Sequence, residues 1–478
     1  MVVLKIDDID IKIGLEEEIF LTNSKGFLLP YSEHVSSILI SLLRKNEKLL
    51  EKAQYYLFGL QWEPNPSQIE YVTRPLSIDH LRDAIIFSRE LIAKAVSEIE
   101  GKIYIGSAHP VQSTPYPLNG VHISISIKRK NKKRPTIKAL QYIHNHIRNH
   151  LPELIALSAN SPICRGEYTG YVSSRLYYSR VLSPANYAVI KRIPISFVPR
   201  QKRSIFRYIV LFGKKKTKEA KIIAHDDGLR LLDITPRGPL TNIIEDIAKR
   251  DNESRIEIRA IDVQSSEDYI MDIVKIIIGL SLEALDKMLR GEVIRERENL
   301  MENRQRAIKD GINAVFINKE KEIIAQESIL TMIERIEKYL DLLDLKLTTP
   351  LRRGIPEIEF YGLPEIVDEN PKLFELIKKG RVIIGLKCKD EKRYYPIMPY
   401  DAKVANHEDL EGILFADYDL EWFESPRNII RRFTKIERRY WILTSLGYVK
   451  IGRFDRIKYA RNPISHLVRI FNKMAGIS

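Results

Sequence analysis

The chain has 478 residues, 44% of them apolar and 29% charged, which excludes a disordered chain and suffices for two or three domains with their own cores. Two cysteines, Cys164 and Cys388, exclude a disulfide framework and a cysteine-rich zinc site. The formal charge of +14 is unevenly placed: Ser425 to Ser478 carries thirteen basic residues against two acidic ones, so basicity belongs to one late module.

In chain order, MVVLKIDDIDIKIG shows no basic region followed by an apolar run and a small-residue cleavage site, so the cytoplasm is the expected compartment. Ile9 to Phe20 alternates and predicts a strand. Within it Glu16 and Glu18 share one face and Glu17 takes the other; two same-face carboxylates lie roughly 6.6 Å apart, a spacing that lets each serve a different member of a metal pair. An acidic edge strand would read alike. Val35 to Leu57 and Leu81 to Val96 carry helical spacing, and Ser77 and Asp79 can start the second helix. Between them Gln68 to Thr73, with Glu70, predicts a strand, as do Lys102 to Gly106 and Val121 to Ile127. His122 stands in the last of these; taken alone, a strand histidine is commonly a hydrogen-bonded structural residue.

Lys128 to Arg134 predicts a basic loop, and a helix follows from about Thr136. His146 and His150 lie four apart on that helix, where a solvated basic face is the plain expectation. Leu157 to Pro162, with Asn160 and Ser161, opens a polar, glycine-bearing loop that runs through Thr169 to Arg175. Such a loop suits substrate contact, or is simply a surface connection. In Arg255 to Ile261, Glu257 and Arg259 share a strand face, a cation ligand beside a phosphate binder, or else part of a salt-bridge ladder. Ile270 to Leu289 is broken by Asp272 and Lys275, so it predicts a buried helix and not a membrane span. Helices over Glu267 to Leu289, Arg295 to Lys309 and Glu322 to Leu345 precede a break at Thr348, Thr349 and Pro350. No phosphate-binding P-loop or dinucleotide-binding glycine turn occurs. The irregular interleaving predicts an α+β fold with a curved, mostly antiparallel sheet and helices on one side.

Five pieces, Glu16-Glu17-Glu18, Glu70, His122, the Asn160 loop and Glu257 with Arg259, together with Glu302-Asn303-Arg304, resemble in order the carboxylate-amine ligases of glutamate-cysteine ligase family 2, in the glutamine synthetase superfamily. The resemblance runs from Ile13 to about Ala314. It implies a glutamine synthetase-like catalytic fold over 1–348, with ATP entering one end of a funnel and Mg²⁺ or Mn²⁺ at its centre. Glu16, Glu18, Glu70, His122 and Glu257 are then the metal ligands. Arg259 and Arg175 would lie near the transferred phosphoryl group, and Asn160, Ser161, Thr169 and Arg237 near the substrates. The implied reaction joins a small-molecule carboxylate to an amine through an acyl phosphate, and a homodimer is compatible with such a chain.

Two positions depart from the family. Ser124 stands where many relatives have a second histidine, and the Asp-Ile-Arg-Pro segment reads Asp233-Ile234-Thr235-Pro236-Arg237. Residues 349–478 fall outside the resemblance and predict an additional domain, strongly basic from 425. A helix through Ile429, Phe433, Ile436 and Tyr440 and a hairpin at Tyr448 to Tyr459 would suit nucleic acid, an acidic protein, or the acidic stretch Glu408 to Glu424.

Overall fold

The computed structural model describes residues 6–23, 28–63, 65–109, 118–132, 135–164, 167–179, 182–183, 188–192, 206–210, 231–237, 254–319 and 321–357, with strands at 382–387, 393–396, 413–417, 438–444 and 447–454. The organising element is a long strand, β1 (Ile9–Asn23). From Lys12 to Ile19 its alternation is strict: Ile13, Leu15, Glu17 and Ile19 are buried, while Lys12, Gly14, Glu16 and Glu18 are half-buried on the opposite face. Around it lie β2 (Leu57–Trp62), β3 (Gln68–Thr73), β4 (Gly101–Tyr104), β5 (Gly120–Arg129), β6 (Ile234–Arg237) and β7 (Arg255–Asp262). All pairings among these seven strands are antiparallel. A fixed register therefore decides which side chains of different strands meet.

The helices are α1 (Ser32–Lys45), α2 (Glu47–Tyr56), α3 (Ile78–Ser97), α4 (Ile137–Asn149), α5 (Leu151–Ser158), α6 (Ser174–Tyr178), α7 (Glu267–Leu289), α8 (Leu300–Asp310) and α9 (Ala325–Asp341). Their apolar faces join the inner side of the sheet in one continuous core. The span expected as one helix from Val35 to Leu57 is two, because Asn46 leaves the helical region and caps the second by accepting from Leu49 N at 3.0 Å. Leu57 to Trp62 is an additional strand, and α8 begins five residues later than Arg295. Among the described residues no helix is long and apolar enough to cross a membrane; α7 is buried.

The solvated face expected for His146 and His150 is wrong, since His146 is buried, His150 is half-buried, and both rings are engaged by groups of other helices. His146 Nε2 donates to Glu283 Oε2 at 2.8 Å. His150 Nδ1 donates to the His146 carbonyl, and its Nε2 accepts from Arg335 Nη2 at 2.7 Å. The polar side of α4 is thus an ion network between α4, α7 and α9, whose partners the local sequence of α4 does not reveal. Its neighbour His144 is fully buried, and burial lowers its pKa to about 4. The neutral ring is the folded form, so the unfolded chain takes up its proton first as pH falls from 6.5 toward 4. Stability is therefore lost on acidification, by about 2 kcal/mol from pH 7 to pH 5. Urea titrations of the wild type and His144→Gln at those two pH values check this: the variant should lose less, and equal losses would exclude His144 as the source.

From the basic C-terminal stretch, Arg438–Thr444 and Gly447–Phe454 pair antiparallel. Tyr440 is therefore in a strand and not in the expected helix, and the hairpin forms one strand earlier than expected. The Tyr-Trp-Ile-Leu-Thr run is strand-prone. The remainder of the expected helix, and Arg456 to Tyr459, lie outside the described residues.

Candidate cation and phosphate site

On the outer face of the sheet, strand register brings the acidic side chains together. Glu16 of β1 pairs with His122 of β5, and Glu18 of β1 pairs with Glu70 of β3. Glu257 of β7 faces Ser124 of β5, one same-face position from His122. As a result His122 Nδ1 has Glu16 Oε2 at 3.4 Å, Glu70 Oε1 at 3.9 Å and Glu257 Oε1 at 4.0 Å. Their exposures of 14%, 7% and 1% show that three carboxylates share one nearly dry cavity. Glu18, Glu63 and Glu70 form a second cluster with ligand atoms mutually within 4.8 Å. Like charges packed so closely in low dielectric favour a counter-cation, and an oxygen-rich set with one imidazole fits Mg²⁺ or Mn²⁺.

All five side chains that the resemblance assigned to metal thus converge on one region. Glu63 was missed: it stands in the proline-bearing loop between β2 and β3, where strand periodicity gives no signal.

The two arginines lie beside this cavity. Arg259 Nη1 donates to Glu257 Oε1. A bulge between Ile258 and Ile261 breaks the register with β5 there, and the Arg259 N–H donates to the Asp233 carbonyl at 2.7 Å. Arg175, from α6, donates through Nη2 to the Arg259 carbonyl at 2.8 Å, and its Nη1 is 3.8 Å from Asp262 Oδ1. Burial is the largest influence on both partners, pulling the Arg175 guanidinium down and pushing the Asp262 carboxyl up. Gly120 makes the approach feasible, since a Cβ there would sit 2.0 Å from Arg175 Nη2. The Gly120 N–H in turn donates to Glu18 Oε2 at 2.7 Å.

The loop residues divide. Asp262 accepts from Asn160 N at 3.0 Å, Ser161 Oγ at 2.7 Å and Ser173 Oγ at 3.1 Å. Ser161 Oγ also accepts from Arg175 N, and Thr169 Oγ1 engages Pro162, Tyr171 and Ser174, so these two hydroxyls brace the loop. Arg237 belongs to β6 opposite Arg255, but its side chain lies outside the described residues, as does that of Cys164. Thr235 faces Glu257, and Ser124 Oγ accepts from Arg255 Nε at 3.3 Å. Arg304, part of the Glu-Asn-Arg triplet, instead pairs bidentately with Asp233 at 2.6 and 2.9 Å. Adjoining Glu16, a shallow cleft of about 40 Å³ lies along the same face, lined by Lys12, Ser124, Ser126 and Arg255 on one part and Phe58, Val72 and Pro75 on another.

Carboxylates around an imidazole on an antiparallel sheet, with Arg259 of the sheet and Arg175 of α6 beside them, are groups chemically suited to a divalent cation and to phosphate oxygens. The model of the family described as glutamate-cysteine ligase family 2 matches residues 111–192, the segment that carries His122, Asn160 and Arg175. A candidate glutamate-cysteine ligase 2 of Mycobacterium ulcerans is 28% identical over 232 residues, 47% of this chain and 50% of that protein. The glutamate-cysteine ligase of Haloferax volcanii is 25% identical over 246 residues, 50% of this chain and 59% of its own length. Over these stretches the chain is similar to glutamate-cysteine ligase family 2, and it spans about half the length of the curated relatives it matches. Among solved structures, the glutamate-cysteine ligase of Francisella tularensis in complex with AMP aligns with a TM-score of 0.43 and 15% identity, over 77% of this chain and 89% of that one.

Proposed function

We propose that the chain is an ATP-dependent carboxylate-amine ligase. What supports this reading most is the convergence of Glu16, Glu70 and Glu257 on His122, with Glu18 and Glu63 adjoining. In it, Glu16, Glu70, His122 and Glu257 hold one divalent cation, and Glu18, Glu63 and Glu70 hold a second. The cations supply charge neutralisation of the triphosphate. The triphosphate of the nucleotide lies at this acidic cluster.

Arg259 and Arg175 face the γ-phosphoryl group, where charge spreads over three oxygens in the transition state. A substrate carboxylate oxygen forms a bond to the γ-phosphorus as the bond to the β-phosphate bridging oxygen breaks, giving an acyl phosphate and ADP. The amine nitrogen then attacks the acyl carbon, loses a proton, and inorganic phosphate leaves. A glutamate-like acid is the first candidate for the carboxylate, and the amine is a small molecule. The residues beyond 348 form an additional module in this reading.

The test is phosphate release from ATP with Mg²⁺ or Mn²⁺, screened against glutamate and a panel of amines. Glu257→Gln should lower turnover by at least the ~10–100-fold that loss of even an outer metal-site partner costs. Turnover untouched by that substitution would remove Glu257 from the centre.

A further inference from the structure

Residues 348–357 lie beyond the stretch of family resemblance, yet they are fastened to α7 at two points. At one, Asp272 Oδ2 accepts from the Thr348 N–H at 2.8 Å and from the N–H and hydroxyl of Thr349 at 2.7 and 2.8 Å. At the other, the buried Glu357 reaches the turn that precedes α7: its Oε1 accepts from the Ser266 N–H and its Oε2 from the Ser265 N–H, each at 2.8 Å. Arg89 holds the same turn through its carbonyls, donating to Gln264 at 2.7 Å and to Ser265 at 2.8 Å. With these main-chain donors and acceptors taken, the turn is a fixed base, and Glu357 is fixed with it.

From this base one contact leads toward the site. Glu357 Oε2 also accepts from Asn160 Nδ2 at 2.8 Å. The Asn160 N–H donates to Asp262 Oδ2 at 3.0 Å, and the next residue, Ser161, donates its hydroxyl to that same oxygen at 2.7 Å. Ser161 Oγ in turn accepts from the Arg175 N–H at 3.1 Å, and the Ser161 carbonyl accepts from the Ser174 N–H at 3.0 Å. The main chain at Arg175 is thus set by Ser161, and from there its guanidinium reaches the Arg259 carbonyl. Glu357, Asn160, Ser161, Asp262, Ser174 and Arg175 are all buried, so a donor that loses its acceptor cannot turn to water, and the fault passes to the next link.

We propose that Glu357 is a positioning residue for Arg175: it acts through Asn160 and Ser161, and so ties the segment that follows the catalytic fold to the guanidinium that faces the phosphoryl group. The proposal rests on the ligase reading for what Arg175 does, and goes beyond it by making the site depend on a residue outside the stretch of family resemblance.

Two measurements on the full chain test it. Amide hydrogen exchange, followed by mass spectrometry without nucleotide, should be about tenfold faster in Glu357→Ala over residues 158–176, the penalty of one buried donor left unpaired, with α9 unchanged. Wild-type exchange over 158–176 in the folded variant overturns the proposal. In phosphate release, Glu357→Ala should lower kcat about tenfold and leave the KM for ATP within about threefold, because the contact it supports is made in the transition state. In an Arg175→Ala background the same substitution should cost less than about twofold, since both act through one guanidinium. Equal costs in the two backgrounds would show that Glu357 does not act through Arg175, and overturn the proposal. Glu357→Gln, which keeps the volume and one acceptor oxygen, gives the same comparisons where Glu357→Ala does not fold. Absence of phosphate release from the wild type overturns the ligase reading instead, and the exchange measurement still decides whether Glu357 places the main chain at Arg175.

Discussion

Arg89→Met should destabilise the protein by about 3–5 kcal/mol in urea unfolding, because it leaves a carboxylate stranded in the core. Glu17 and Arg89 are both fully buried, and the guanidinium meets Glu17 through Nε at 2.9 Å and Nη2 at 2.6 Å. Its remaining donors go to the carbonyls of Ser265 at 2.8 Å and Gln264 at 2.7 Å, with Glu267 at 3.1 Å. Burial alone would pull the arginine down, but Glu17 and Glu267 outweigh it and hold the group well above its ordinary value. The arginine therefore keeps its charge, and removing it leaves the buried Glu17 carboxylate without its partner. The double variant Arg89→Met/Glu17→Met should recover most of the loss, since a buried pair replaced by apolar side chains of similar volume is often neutral. A single-variant cost below about 1 kcal/mol, or no recovery in the double variant, would show that the pair is not the tie between β1 and the turn before α7.

That pair also shows where the sequence was legible and where it stopped. Period-two alternation in β1 correctly put Glu17 opposite Glu16 and Glu18, because side-chain direction in a strand is set locally. It could not say that Glu17 would be neutralised by Arg89, 72 residues away on a helix, since that meeting depends on how α3 packs. His122 and the glutamates were legible as types on strands, and the registers of β1 with β3 and β5 turned separate motifs into one cluster. Glu63 was not, because it sits in no periodic element and joins Glu18 and Glu70 only through the folded arrangement of the sheet. The misreading of His146 and His150 has the same origin: polar residues on one helix face look solvated until Glu283 and Arg335 arrive from two other helices. The family resemblance put Ser161 and Thr169 near the substrates; the Ser161 hydroxyl donates to Asp262 and that of Thr169 meets Ser174.

Gly120→Ala should separate chemistry from stability. The added Cβ would meet Arg175 Nη2 at 2.0 Å, Cζ at 2.6 Å and Nε at 2.8 Å, all at the far end of a flexible side chain and none of it backbone. The chain can therefore keep its strand by expelling the guanidinium, at a cost of about 1–3 kcal/mol for overpacking. The Gly120 N–H contact with Glu18 needs no side chain and should persist. The Arg175 donation to the Arg259 carbonyl and its approach to Asp262 cannot both survive the shift. If Arg175 stabilises the phosphoryl group in transfer, phosphate release should fall about 10²–10³-fold, the usual loss when one transition-state donor is removed. Gly120→Ala combined with Arg175→Ala should then be no slower than Arg175→Ala alone, because both act through the same guanidinium. Wild-type turnover in a folded Gly120→Ala protein would take Arg175 away from the reacting phosphate and leave Arg259 as the cation on that side of the cavity.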